Sequence, residues 1–237
     1  MEGLKLFLSY VEDDEGERIT DQLHNALSEL HIGSVMAKHN INPGADWVET
    51  IRKHLCDSIA LVCVATSGYS KSVWAQQEIG YALGRKLPVL WIRYAKDEVP
   101  LGFLAHQQAL EPKDVAKPAG IADAVLQWLA SNGQTSDFIA DMLIFALEQS
   151  ESYDDARALV KTLATLKGLT GSQWKRVEAA ASFNRQVGNA VIWTNRHSVN
   201  PEDQPSAVEW LKTELSASLS EDSSDIFLKS KSVLSAT

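Results

Sequence analysis

"SIALVCVATSGYSKSVWAQQEIGYALG" runs from Ser58 to Gly84, and its first eight residues decide the fold. From Ser58 to Ala65 apolar residues follow one another with no charge and no alternation. A strand with one face in water alternates apolar and polar side chains. A strand covered on both faces of a parallel sheet reads as a continuous apolar run. Ser72 to Gly84 then reads as a helix, with Trp74 and Glu78 four residues apart on one face. Taken alone, such a pair is an apolar ring packed inward and a carboxylate in water. Its neighbours change that reading.

Outward from this stretch, strand and helix patterns alternate. Leu4 to Tyr10 is a compact β run, and the acidic Glu12-Asp13-Asp14-Glu15 after it favours a helix N-terminus. Ile19, Leu23, Ala26, Leu27 and Leu30 recur at helical spacing. Ile32 to Met36 is a short second strand, Asn42-Pro43-Gly44 marks a loop, and a helix from Asp46 carries Trp47, Ile51 and Leu55 on one stripe. Leu87 to Tyr94 is a fourth strand, Gln107 to Leu110 a weaker fifth, and Ile121 to Leu129 a closing helix. This order predicts an α/β unit with a parallel five-stranded sheet and right-handed crossovers. Ligands in such sheets bind beyond the carboxyl ends of the strands. The loops after Tyr10, Met36, Ala65 and Tyr94 therefore form the rim of a site, and Glu78 lies on the helix leaving that rim.

After Ser131-Asn-Gly-Gln-Thr-Ser136 strand signals stop. Phe138 to Leu147, Ala156 to Leu166, Ser172 to Trp193 and Pro205 to Ser216 read as helices, punctuated by Gly168, Gly171 and Pro201. The expected organisation is an α/β domain over 1–133, a small all-α domain over 134–218 and a flexible tail over 219–237. The chain has 237 residues, 45% hydrophobic and 22% charged, which suffices for a substantial core. A net charge of -9 argues against a broad nucleic-acid surface, and Lys175, Arg176 and Arg185 are the nearest approach to a basic patch. Cys56 and Cys63 lie in apolar runs without metal-site spacing and read as buried free thiols. The first residues lack the basic and apolar regions of a signal peptide, and no run nears the length of a membrane span. A cytoplasmic protein with no membrane contact is expected.

"KLFLSYVEDD", "NPGADWVETI", the opening stretch and "LPVLWI" occur in that order at compatible spacing. This ordered set resembles a Toll/interleukin-1 receptor (TIR) domain over roughly residues 3 to 131, and its flavodoxin-like fold is the fold expected here. The matching features are Ser9 and Tyr10 with Asp13 and Asp14 after the first strand, Gly44 and Trp47 in and after the long loop, and Ser72, Trp74 and Glu78 at the helix start. The chain departs from the family where relatives carry Arg-Asp or an acidic residue at the start of that loop; here it reads Ala37-Lys38-His39-Asn40. Resemblance to the bacterial, NAD-cleaving members implies Glu78 as the catalytic carboxylate, with Trp74 walling the pocket. It implies that Ser9, Tyr10, Trp47 and Ser72 complete the binding site, and that the loop from His39 to Gly44 closes over it or meets a neighbouring subunit. It further implies NAD+ as substrate rather than cofactor, no metal, self-association through the TIR domain, a protein or small-molecule trigger, and a role in anti-phage immune signalling.

The chemistry of that bond suits a single carboxylate. Nicotinamide leaves as a neutral pyridine and needs no proton, so a paired general acid is not required. What the site must stabilise is an oxocarbenium-like ribose. Two rival readings belong to other classes. One is a non-enzymatic adaptor working through TIR–TIR contacts; the other is a nucleoside-type transferase that also uses one glutamate. No GxGxxG follows a strand, no nucleophile elbow surrounds a serine, and the six histidines are scattered.

Overall fold

The computed structural model describes residues 5–36, 47–112, 117–166, 168–194 and 200–221. Two compact units make up the chain, Met1–Thr135 and Ser136–Thr237. The first contains, in order, β1 (Lys5–Tyr10), α1 (Asp14–Glu29), β2 (Ser34–Met36), α2 (Trp47–Asp57), β3 (Ser58–Ala65), α3 (Val73–Gly84), β4 (Val89–Arg93) and α4 (Pro118–Ser131). The strands pair in parallel in the order β2-β1-β3-β4. All eight residues of β3 are buried, as an interior strand between two helical layers requires.

Crossover handedness decides which helix covers which face. The chain steps from β1 outward to β2 through α1, then returns across β1 to β3 through α2 and on to β4 through α3. Opposite steps with right-handed crossovers put α1 on one face and α2 with α3 on the other. On the α2–α3 face, Phe7, Leu61, Cys63, Ala65, Val89 and Trp91 pack with Ile51, Leu55, Ala75 and Ile79. The alternate residues Leu6, Leu8, Val62, Val64 and Ile92 are fully buried on the other face, where α4 packs beside α1. The start of α1 is fixed by Asp13, whose Oδ1 accepts from Gly16 N at 2.7 Å. Gly16 has no tolerance for a side chain, since a Cβ would lie 2.3 Å from the Val11 carbonyl oxygen.

The expected fifth strand is reduced to one residue, and among the described residues the sheet has four strands. Leu110 forms a parallel bridge to Ile92, donating to the Trp91 carbonyl at 2.8 Å and accepting from Arg93 N at 2.9 Å. Extension forward would need an N–H at residue 112, which is Pro112. Extension backward meets Gln107, whose Nε2 donates to the Val89 carbonyl at 2.8 Å and takes the place of a strand N–H.

The second unit is helical: α5 (Ser136–Glu148), α6 (Tyr153–Leu163), α7 (Gly171–Phe183), α8 (Arg185–Gly188) and α9 (Ala207–Glu221). Its core includes Ile139, Leu143, Leu159, Val177 and Leu211. Arg176 ties α7 to α5 by donating to both oxygens of Glu148, at 2.8 and 3.0 Å. The single helix expected over Ser172 to Trp193 is broken at Asn184. Its Oδ1 caps α8 by accepting from Gln186 N at 2.9 Å, while its Nδ2 donates to the Ser150 carbonyl at 2.9 Å. Phe183, the last residue of α7, is 91% exposed.

One of the two thiols also differs from expectation. Cys63 is buried under α3, but Cys56, at the end of α2, is exposed. A native-state alkylation at neutral pH should therefore label one of the two cysteines rapidly, at Cys56, and both after denaturation. Mass mapping that finds Cys63 modified as fast as Cys56 in the native protein would contradict this core.

Candidate active site

The strand order creates a crevice at one place. After β1 the chain leaves toward β2, and after β3 it leaves toward β4, so the connections diverge above the adjacent carboxyl ends of β1 and β3. Ser9 stands there, in register with Cys63 of β3. Glu78 descends from α3 onto it. The Ser9 hydroxyl donates to Glu78 Oε2 at 2.5 Å, and Ser9 Oγ lies 2.7 Å from the Tyr69 hydroxyl. Ser9 and Tyr69 are fully buried and Glu78 is 5% exposed.

Burial sets the protonation of this group. It pushes the Cys63 thiol up to about 12; the adjacent Tyr69 hydroxyl opposes this, and the nearby Glu78 charge adds to it. Burial also pushes the Tyr69 hydroxyl well above its usual range; the adjacent Cys63 adds to this, and the hydrogen bond to Ser9 opposes it. Thiol and phenol are therefore neutral at physiological pH, beside a carboxyl group.

Three local devices hold these side chains. Ser72 caps α3, its Oγ accepting from Ala75 N at 3.3 Å. The turn before it, Tyr69–Lys71, follows Gly68 in the left-handed region at φ 85°, where only glycine sits without strain. Glu98, 2% exposed, clamps that turn: its two carboxylate oxygens accept from Gly68 N at 2.7 Å and Ser70 N at 2.8 Å. The Tyr69 ring meets Trp91 edge-on, with centroids 5.1 Å apart.

The structure joins Ser9 and Glu78 directly but separates others of the expected set. Tyr10, next to Ser9 on an alternating strand, belongs to the opposite face, toward α1. Its hydroxyl is pushed up to about 12, first by burial and then by Glu17 and Asp21 of α1, with a smaller contribution from Glu78. Trp74 lies on the first turn of α3 and is 41% exposed. Ser72 is committed to capping. Trp47 opens α2, and its side chain, like the loop from His39 to Gly44, lies outside the described residues. Sequence reasoning missed Tyr69 and Glu98. Tyr69 sits inside the opening stretch and could have been found there. Glu98 has no local signal, because its partners lie 28 and 30 residues away. Among the described residues, no group of His, Cys, Asp and Glu could hold a metal ion.

The family model described as TIR domain matches residues 6–128, more than half of the chain, and the chain belongs to that family. Among solved structures, the TIR domain of the Toll-related receptor TRR-2 from the lower metazoan Hydra magnipapillata is similar at 21% identity, with a TM-score of 0.40. That match covers 47% of this chain and 86% of the other. No curated protein matches this chain.

The raised values have a stability consequence. Cys63 rises from 9.0 and Tyr10 from 10.0, each to about 12, so folding favours their neutral forms. That stability is fully present below about pH 9 and is lost as pH climbs toward about 12. Calorimetric Tm should fall across this alkaline window, and Cys63→Ala and Tyr10→Phe should each make the fall shallower. Slopes in both variants equal to that of the parent would contradict the assignment.

Proposed function

We propose that this TIR protein cleaves NAD+ between nicotinamide and ribose, with Glu78 as the catalytic carboxylate. The observation that carries this reading is the buried Glu78 carboxylate held by Ser9 at the divergence of β1 and β3. In the reaction the C1′–N bond breaks and its electron pair stays on the ring nitrogen, which leaves as neutral nicotinamide. Positive charge grows on the ribose, and an anion in a poorly hydrated site stabilises it more strongly there than in the ground state. A water oxygen then bonds to C1′ and releases a proton to solvent, giving ADP-ribose. Capture by an adenine ring nitrogen gives a cyclic product, and capture by an added base an exchanged one.

Trp74, at the rim and half exposed, offers a ring for stacking on a planar base. Trp47 is the remaining residue assigned to the NAD+ surface, while Ser72 acts through the cap of α3 and Tyr10 lies on the α1 face. Glu78 is only 5% exposed in the single chain, which supports a site that opens when TIR domains associate. In this reading the helical unit receives a protein or small-molecule trigger, and the enzyme serves cytoplasmic antiviral defence signalling. Among the described residues, no helix is long and apolar enough to cross a membrane.

A second reading, an adaptor without catalysis, is favoured by apolar side chains near the same rim. Val73 is 68% exposed and Phe103, on the loop that follows Glu98, is 94% exposed. Product analysis separates the two. Concentrated protein incubated with NAD+ should release nicotinamide, and Glu78→Gln should lower the rate at least about 10²-fold while leaving Tm close to that of the parent. Release undiminished in Glu78→Gln would remove Glu78 from the chemistry. No release by parent protein under assembling conditions would favour the adaptor.

A further inference from the structure

Tyr69 has no part in the reaction as proposed, yet its hydroxyl ends on the same atom as the carboxylate. A proton inventory orders the contacts. Ser9 Oγ has one proton and two neighbours, Glu78 Oε2 at 2.5 Å and Tyr69 Oη at 2.7 Å. An ionised carboxylate has no proton to give, so the Ser9 proton goes to Glu78. The Ser9–Tyr69 contact then requires a proton from Tyr69, whose buried hydroxyl keeps it at neutral pH. Donation runs from Tyr69 to Ser9 to Glu78, and the protonated Cys63 thiol borders the far end of the chain. Ser9, fully buried, has its single donor committed and has none left for a ribose hydroxyl.

We infer that Tyr69 and Ser9 are positioning residues, which aim one fixed hydrogen bond at the Glu78 carboxylate, and that Ser9 does not bind the substrate. Its effect on rate rests on the NAD+-cleavage reading; the ordered hydrogen bonds do not. Tyr69 acts by donating to one lone pair of Ser9, which turns the Ser9 proton away from Tyr69 and toward Glu78. Among the groups that sense the Glu78 charge are Tyr10 on β1, Cys63 on β3 and Tyr69 on the turn before α3. None of these three is cationic, and the donor that β1 supplies to the carboxylate, Ser9, is neutral.

The test uses the full chain with 13C-carboxyl-labelled glutamate, the Glu78 signal being the one lost in Glu78→Gln. In Ser9→Ala the titration midpoint of that signal should move to higher pH by about one to two units, since a hydrogen bond to a charged group is lost. In Tyr69→Phe, which keeps the ring against Trp91, it should move the same way by a smaller amount. In the nicotinamide-release assay kcat should fall roughly tenfold or more in both variants, with KM unchanged and the acid limb of kcat following the carboxyl signal. Unmoved titrations in both variants would overturn the inference, as would a raised KM with unchanged kcat in Ser9→Ala. If parent protein releases no nicotinamide, the reaction reading fails while the carboxyl titration still decides the positioning role. If Ser9→Ala fails to fold, Tyr69→Phe decides it alone.

Discussion

The hydrogen bond from Ser9 to Glu78 joins the first strand to the third helix at the point where the sheet's connections part. A carboxylate moved from water into a protein interior costs several kcal/mol unless its lone pairs are met. Glu78 is tolerated because a neighbour from another element meets it, and that neighbour is met in turn by Tyr69. Removing one member leaves the others buried and unsatisfied, which is worse than an apolar site. The arrangement therefore demands that β1, β3 and the start of α3 be fixed relative to one another. The Glu98 clamp meets that demand for the turn carrying Tyr69, and the Ser72 cap meets it for α3.

What was legible in the sequence is what depends on one element at a time. The run from Ser58 to Ala65 announced an interior strand because burial on both faces leaves its mark in composition. Ser72 announced a helix start because capping uses a side chain three residues from its partner. The face of Tyr10 was legible too, since strand side chains alternate, and grouping it with Ser9 overlooked that period. Structure that depends on distant partners was not legible. The fifth strand failed because Gln107 answers the Val89 carbonyl before a backbone donor can, and because Pro112 has no donor to offer. The long helix failed at Asn184, which is drawn to carbonyls at the end of α5 and just beyond it that no periodicity in α7 reveals.

The same distinction explains the candidate site. Glu78 and Ser9 stood out through the family pattern, but their contact spans 69 residues and is a product of topology alone. Glu98 is the extreme case. In sequence it is one acidic residue in a polar loop. In the fold it is nearly inaccessible and holds two backbone donors beside a glycine in the left-handed region.

The choice of partners for Glu78 bears on what it can do. Two unit charges about 4 Å apart interact by about 1 kcal/mol in water and about 4 kcal/mol at an effective dielectric near 20. The difference of about 3 kcal/mol corresponds to a rate factor on the order of 10², if the positive charge appears only in the transition state. That gain survives only if the anion is satisfied without being neutralised. An arginine in the place of Ser9 would satisfy the oxygens equally well, and its own charge would cancel the field at the ribose. A serine hydroxyl adds no net charge, and a neutral tyrosine behind it adds none either. The site thus combines burial, which strengthens the field, with a neutral donor from β1, and a neutral donor satisfies a carboxylate oxygen without cancelling its field.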